Sequence, residues 1–320
     1  MRLYTTLLLT FILAMASCTK RQEALPFDGN ADGCDSTTLS VAVLPTLSCL
    51  PVYYAQRMGM FDSAGVSVHL CRYQAQMDVD TAVLRDRVQV AISDPLRALR
   101  LQSDSLDIIP LMAMDAPLSL VALKGKRVKQ MKQMKEKTVA ISRLSCTDYW
   151  SQKLTADAGI DLSLIFRPQV NDIYLRADML RGGLLDAAML PEPYATWTAM
   201  EGHRRVGRTK TPGLCTALWI MPQRGTQNDS LSSRVQRFDQ VYRQAIKQMN
   251  DGLSPDTTRA ILIREYALPP QVADSIQLPP VPEPRTLTAQ ETDEAAEWLH
   301  QQNRLPKQHS TPKFLSKQAR

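Results

Sequence analysis

Short apolar runs alternate with helical patterns along most of this chain, and that alternation restricts the fold more than any other feature. Residues 39–44 (LSVAVL) form a β-rich run. After a proline-containing loop, Val52, Tyr53, Ala55 and Met58 share one helical face, and Gly59 ends the helix. Residues 66–70 alternate as a strand, 78–85 read as a helix, and 88–92 as another short strand. Ser93 and Asp94 cap the next helix, with Pro95 at its favoured first position. Residues 108–112 and 118–123 follow as strands. The pattern predicts an α/β lobe around a largely parallel sheet.

A lysine-rich stretch, 124–137, precedes a second and similar cycle. Residues 138–141 read as a strand, 142–147 as a loop, and 148–158 as a helix ended by Gly159. Residues 164–170 read as a strand, 173–181 as a helix ended by Gly182 and Gly183, and 185–190 as a strand. Another helix begins near Pro193. Residues 216–221 are strand-like again and suit a return to the first lobe. From Leu231 to Trp298 the chain looks helical, with Val235, Phe238, Val241, Tyr242, Ala245 and Met249 at helical spacing. A proline-rich break at 278–284 sets off a final helix over 289–302.

The N-terminus carries a different signal. Arg2 precedes an apolar run over 3–14 that is too short for a membrane-spanning helix, which needs about 20 apolar residues. A basic start, an apolar middle and small residues at the cut are the order of a signal peptide. Ala16 and Ser17 stand directly before Cys18 and resemble a lipobox, with Met15 where Leu is commoner. We therefore expect residues 1–17 to be removed and Cys18 to carry lipid. Residues 18–38, polar and without apolar periodicity, read as a flexible tether.

Composition sets the remaining bounds. With 44% apolar and 22% charged residues the chain has a globular make-up. Its net charge of +6 is spread thinly, apart from the 124–137 stretch and the tail over 307–320. Neither is the reading face a nucleic-acid binder needs; solvated surface with some attraction to anionic lipid is the plainer reading. Cys34, Cys49, Cys71, Cys146 and Cys215 have wide spacings and no C-x-x-C pair, so they give neither a zinc pattern nor a disulfide framework. No pairing among them follows from sequence, and buried free thiols are the default. His69, His203, His300 and His309 never fall at i, i+4, which argues against a histidine metal site. Neither metal nor cofactor is expected.

Segment 44–68 (LPTLSCLPVYYAQRMGMFDSAGVSV) resembles the opening of the nitrate/sulfonate/thiamine-precursor substrate-binding family of ABC importers. Further similar pieces are VQVAISDPLRAL (88–99), KTVAISRLSCTDYWSQKLTADAGI (137–160), LLDAAMLPEPYATWTAMEG (184–202) and EWLHQQNRL (297–305), in the family's order. The resemblance implies a two-lobed α/β periplasmic-binding-protein fold (type 2), each lobe a mainly parallel sheet flanked by helices. It also implies a monomer that holds a small molecule between the lobes and delivers it to a permease. By the same analogy lobe 1 comprises 39–117 and 216–320 and lobe 2 comprises 125–212. The crossings are placed at 118–124 and 213–221. An importer partner fits lipid in the inner membrane; an outer-membrane anchor is the alternative.

Ligands of open α/β sheets bind beyond the carboxyl ends of strands, where loops lead into helices whose N-termini favour anionic or oxygen-rich groups. Four such junctions give the candidate ligand-binding residues. The first, 45–50, offers Thr46 and Ser48; the second is Ser93 with Asp94. The third offers Ser142, Arg143, Ser145 and Thr147, and the fourth Glu192 and Tyr194. Capping alone also explains Ser93, Asp94, Ser145 and Thr147, and Glu192 also suits a hinge salt bridge. Tyr53, Tyr149 and Trp150 suit the core or stacking platforms. Arg143 with helix N-termini favours an anion such as a sulfonate; Glu192 with aromatics favours a thiamine-type pyrimidine.

Two other functions compete. A Cys146–His203 nucleophile pair would make an enzyme, but neither residue lies in a catalytic motif. The related enzyme of thiamine-pyrimidine synthesis has a cysteine-rich signature that has no counterpart here, so no enzyme is expected. The other is an accessory or sensor lipoprotein that kept the fold without transport.

Overall fold

The computed structural model describes residues 37–102, 106–224 and 229–305. The expected leader, Cys18, Cys34, nearly all of the tether and the basic tail lie outside the described residues. In the first sheet, β1 (Leu39–Val43), β2 (Val68–Arg72), β3 (Val90–Ser93) and β4 (Asp107–Met114) join β9 (Ala217–Gln223) in the order β2-β1-β3-β9-β4. The second sheet sets β5 (Leu118–Ala122), β6 (Val139–Ala140), β7 (Ala187–Pro191) and β8 (Arg204–Arg208) in the order β6-β7-β5-β8. β1 runs parallel to β2 and β3, while β9 is antiparallel to β3 and β4. β6 runs parallel to β7, while β5 is antiparallel to β7 and β8. The sheets are therefore mixed and not mainly parallel as expected: in each, one strand is reversed and pairs antiparallel with both neighbours, and that strand is the one by which the chain arrives from the other sheet. The chain thus adopts the expected α/β architecture of two lobes.

β1, β3, β5 and β7 are buried along their whole length. Sheets covered on both faces select such nearly continuous apolar runs. Around the first sheet lie α1 (Leu50–Arg57), α2 (Met60–Ser63), α3 (Gln76–Leu84) and α4 (Pro95–Leu101); around the second, α5 (Cys146–Asp157), α6 (Ile173–Arg181) and α7 (Tyr194–Met200). The C-terminal part adds α8 (Asp229–Asn250), α9 (Pro255–Tyr266), α10 (Pro270–Ser275) and α11 (Ala289–Gln301). α8 buries Val235, Phe238, Val241, Tyr242 and Ala245, as its period predicts. Phe238 stacks on Phe61 at 5.8 Å and meets Trp219 edge-on at 5.5 Å, which fixes α8 to the first sheet. Each such buried aromatic contributes about 1.5–3 kcal/mol relative to exposure.

Several expectations need correction. Residues 118–122, expected in a crossing, form the central strand β5, with β7 on one edge and β8 on the other. A fully buried backbone run needs partners for its N–H and C=O groups, and a sheet interior supplies them. The first crossing is therefore only residues 115–117. The return is 209–216, because β9 takes the rest of the segment expected to cross. Residues 164–170 are not a strand. They run beside β6 through bonds such as Val139 N–H to the Phe166 carbonyl (2.8 Å), and Pro168 interrupts the ladder. Finally, besides the expected break at 278–284, the helical region from 231 is divided after Asn250, and Ala267 in the left-handed region ends α9.

Both crossings meet one charged cluster. Arg285 donates to both oxygens of Asp115 (2.9 and 2.7 Å) and to both oxygens of Glu291 (2.8 Å each). Glu291 also accepts from Cys215 N–H at 2.9 Å and forms a capping box with Thr288 at the start of α11. Asp115 lies in the first crossing and Cys215 in the second. At Gly213 a Cβ would stand 2.8 Å from the Trp150 ring, so only glycine lets the return segment pass α5 this closely.

Candidate functional site

The loops that follow β1, β3, β6 and β7 face one another across the boundary between the sheets. Leu47 N–H donates to the Glu192 carbonyl (2.9 Å) and Ile173 N–H to the Gln74 carbonyl (3.1 Å), which ties the rims together. Two adjoining cavities lie between these loops, holding about 380 and 480 Å³ of space open to solvent at the mouth. Thr46, Gln76, Ser93, Leu118, Pro191 and Thr216 border both. Ser48 and Glu192 border the first; Asp94, Ser142, Ser145, Thr147, Asn171 and Arg176 border the second.

The candidate residues divide by what their polar atoms already do. Ser48 is buried and its hydroxyl has no partner among the described residues. Thr46 gives its carbonyl to Tyr266 Oη (2.8 Å). The Ser93 hydroxyl reaches only the Asp94 carbonyl, at 3.5 Å. Asp94 caps α4 by accepting from Arg97 N–H (3.1 Å), and its other oxygen reaches across to Cys146 N–H at the start of α5 (3.2 Å). Burial raises its pKa above the ordinary carboxylate value, against the pull of Arg97 and of these two N–H groups.

The third junction is largely self-satisfied. Ser145 Oγ donates to the Ser142 carbonyl (2.7 Å) and accepts from Thr147 N–H (3.2 Å) as the cap of α5. Thr147 Oγ1 accepts from Ser142 N–H at 2.9 Å. Ser142 Oγ donates to Asn171 and receives Arg97 Nη2 (3.0 and 2.9 Å).

Three candidates stand apart from this group. Arg143 is exposed and does not border either cavity; only its carbonyl takes part, accepting from Arg97 at 3.3 Å. Glu192 is buried at the rim, but one oxygen accepts from Thr196 N–H (2.9 Å) and the other from Arg205 (3.1 Å). Tyr194 is fully buried against Tyr174 and Trp197, donates to the Tyr266 carbonyl (3.0 Å), and does not border the cavities. Tyr53, Tyr149 and Trp150 are likewise buried away from them. Cys146 and His203 have separate partners: the thiol donates to the Cys215 carbonyl (3.2 Å), and His203 Nδ1 accepts from Lys124 N–H (3.2 Å). Burial pushes the Cys146 thiol well above its ordinary pKa, the reverse of a nucleophile. The described residues contain no group of His, Cys, Asp and Glu able to hold a metal.

Sequence reasoning passed over two buried arginines at the boundary between the lobes, of which Arg176 borders the second cavity. Arg97 and Arg176 are both 2% exposed. Each lies inside a helical pattern, where an arginine reads as outer surface. The available signal was spacing. Ile173, Arg176, Ala177 and Leu180 stand at i, i+3, i+4 and i+7, so Arg176 shares the apolar face of α6.

The family model described as NMT1/THI5 like matches residues 47–208. Among solved structures, the alkanesulfonate-binding protein SsuA from Xanthomonas axonopodis pv. citri, bound to MOPS, has a TM-score of 0.69 at 15% identity; the match covers 86% of this chain and 96% of that one. The periplasmic aliphatic sulphonate binding protein SsuA from Escherichia coli follows at 0.66 and 13%, covering 85% and 95%. The periplasmic nitrate-binding protein NrtA from Synechocystis PCC 6803 gives 0.67 and 10%, covering 88% and 85%. At these identities the likeness is one of fold. No curated protein matches the sequence. None of the described helices is long and apolar enough to cross a membrane.

Proposed function

The chain belongs to the NMT1/THI5-like family, and from that premise we propose that it is a solute-binding protein, not an enzyme, that captures a small molecule between its lobes and delivers it to an ABC importer. The observation that carries this reading is the cleft. Loops from both sheets enclose it at strand carboxyl ends, two short crossings join the lobes, and a buried hydroxyl on Ser48 lacks a partner among the described residues. Such a construction suits hinge closure around a ligand. Thr46, Ser48, Ser93, Asp94 and Ser142 are its ligand contacts in this reading, while Ser145 and Thr147 shape the loop and Glu192 braces its rim. The structural neighbours named for sulfonate and nitrate binding suggest a ligand of that kind; a thiamine-type pyrimidine is the other class to test.

The lipobox-like Ala16-Ser17-Cys18 supports a chain tethered by lipid on the periplasmic side of the membrane that holds the permease, and the reading takes it as a monomer. Mass spectrometry of the protein purified from its source reads both parts of the proposal. We expect a chain that starts at Cys18 with added acyl mass, and a small molecule released from the native protein. A ligand from the right class, at about 100 times its Kd, should also stabilise the fold by about 2.7 kcal/mol. A mature chain without lipid removes the anchor. A protein with no retained molecule, and no thermal shift with sulfonates, nitrate or pyrimidines, removes the binding function.

A further inference from the structure

Two arginines are buried in the boundary between the lobes, and their surroundings differ. Arg97 is saturated along one edge: Nη1 pairs with Asp80, and Nη2 donates to Ser142 Oγ (2.9 Å) and to the Arg143 carbonyl (3.3 Å). It links the first lobe to the second. Arg176, on α6, borders the second cavity and makes one hydrogen bond, from Nη1 to the Val170 carbonyl (2.8 Å). Among the described residues its Nε is buried with no partner, as is that of Arg97, but unlike Arg97 it takes part in no ion pair. Burial lowers its pKa to about 10; nearby Arg97 adds to the fall and Asp172 opposes it.

A buried guanidinium without a counter-ion is costly. Among the described residues no ion pair holds Arg176, and Asp172 offsets its charge only from beyond ion-pair distance, so the guanidinium stands at the wall of a cavity with an edge to spare. The acids nearby are committed elsewhere. Asp172 accepts Leu175 N–H (2.8 Å) as the cap of α6, and Asp94 spends both oxygens on Arg97 and Cys146 N–H groups. The planar fork of an arginine matches two oxygens of one anion.

Resting on the solute-binding reading above, we propose that Arg176 is the specificity-determining residue of the cleft, and that it selects a small oxoanion whose oxygens fill the unpartnered edge of its guanidinium. Sulfonate, nitrate and carboxylate groups share that chemistry. An uncharged nitrogen heterocycle does not, and is selected against because it leaves the guanidinium unpaired. Arg97 is the positioning counterpart, holding the second lobe in place through Ser142.

The test uses calorimetric titration and thermal melting of the wild type, Arg176→Met and Arg176→Lys. The probes are a short alkanesulfonate, nitrate, a small carboxylate and an uncharged aminopyrimidine. We expect the wild type to bind at least one of the anions. Its affinity should fall on the order of 100-fold in Arg176→Met, with Arg176→Lys in between. The unliganded Met variant should melt no lower than the wild type, since it loses a buried charge that Asp172 offsets only from beyond ion-pair distance. Wild-type anion affinity in Arg176→Met overturns the proposal. So does binding of the aminopyrimidine alone, which leaves the solute-binding reading standing. A Met variant that melts far lower yet keeps the anion makes Arg176 structural and overturns it too. A folded wild type that binds no probe overturns both.

Discussion

Arg285 at the crossings and Arg176 in the cleft both lie where the two lobes meet, and the chain treats them in opposite ways. Arg285 contacts four carboxylate oxygens from two acids, and one of those acids also takes a backbone N–H from the return crossing. Arg176 has one carbonyl and an open edge. The same contrast holds for hydroxyls: Thr288 is fully used in its capping box, while Ser48 has no partner among the described residues. A buried polar group that is saturated supports the fold, whereas one left open at the wall of a cavity is available to something that arrives from outside. The hinge should therefore carry stability and the cleft should carry recognition.

The largest effect should come from breaking the hinge cluster. Glu291→Ala strips Arg285 of half its partners and removes the acceptor for Cys215 N–H, so about 2–3 kcal/mol should be lost in urea unfolding, less than for a fully buried pair because solvent screens the partly exposed Arg285, with ligand affinity of the folded protein unchanged. A loss below about 1 kcal/mol would erase the contrast. Acid gives the next test. Burial alone would raise the Glu291 pKa, but hydrogen bonds from Arg285 and Thr288 outweigh it and hold the group at about 2, against an ordinary 4.5. A carboxyl lowered in the folded state stabilises at pH above its unfolded value and loses that contribution as pH falls through its folded one. Melting of the wild type should thus drop between pH 4.5 and about 2, and Glu291→Gln should flatten that drop. Equal slopes would show that other carboxyls govern the acid response. The smallest pair compares hydroxyls: Thr288→Ala should cost about 1 kcal/mol through the lost cap, and Ser48→Ala less than about 0.5 kcal/mol. Reversal of that order would put Ser48 among the structural groups.

Much of the architecture was legible because its signal is local. β1, β3, β5 and β7 are apolar runs broken only by Ser40, Ser93 and Ser119, and their short length between turn signals marks them as strands and not helices. β8 (RRVGR) gave no such signal: it is an edge strand whose side chains mostly face water, so its sequence reads as charge. Residues 118–122 were recognised as a strand but assigned to a crossing, since which sheet a run joins depends on contacts far along the chain. In the site, the junction loops were legible from strand ends and caps. The charge was not. Arg143 attracted attention because it sits in a loop, yet a loop tip faces solvent, whereas Arg97 and Arg176 point inward from helices. Glu192 lay at the right place in the chain with its carboxylate turned to Thr196 and Arg205, and no sequence pattern reports which way a side chain turns.

The place of β9 also fixes the order in which the molecule can be finished during synthesis. β3 and β4 are not paired with each other; β9, from residues 217–223, lies between them and bonds to both. The second sheet draws only on residues 118–208 and is complete in the chain well before β9 exists. As the polypeptide emerges N-terminus first, the first lobe must wait with two unjoined pieces of sheet, β2-β1-β3 on one side and β4 on the other. Long-range pairing of this kind is slow and leaves strand edges exposed. The half of the protein that begins first is thus the half that closes last, and its open edges are what a holding chaperone would have to cover until residue 223 arrives.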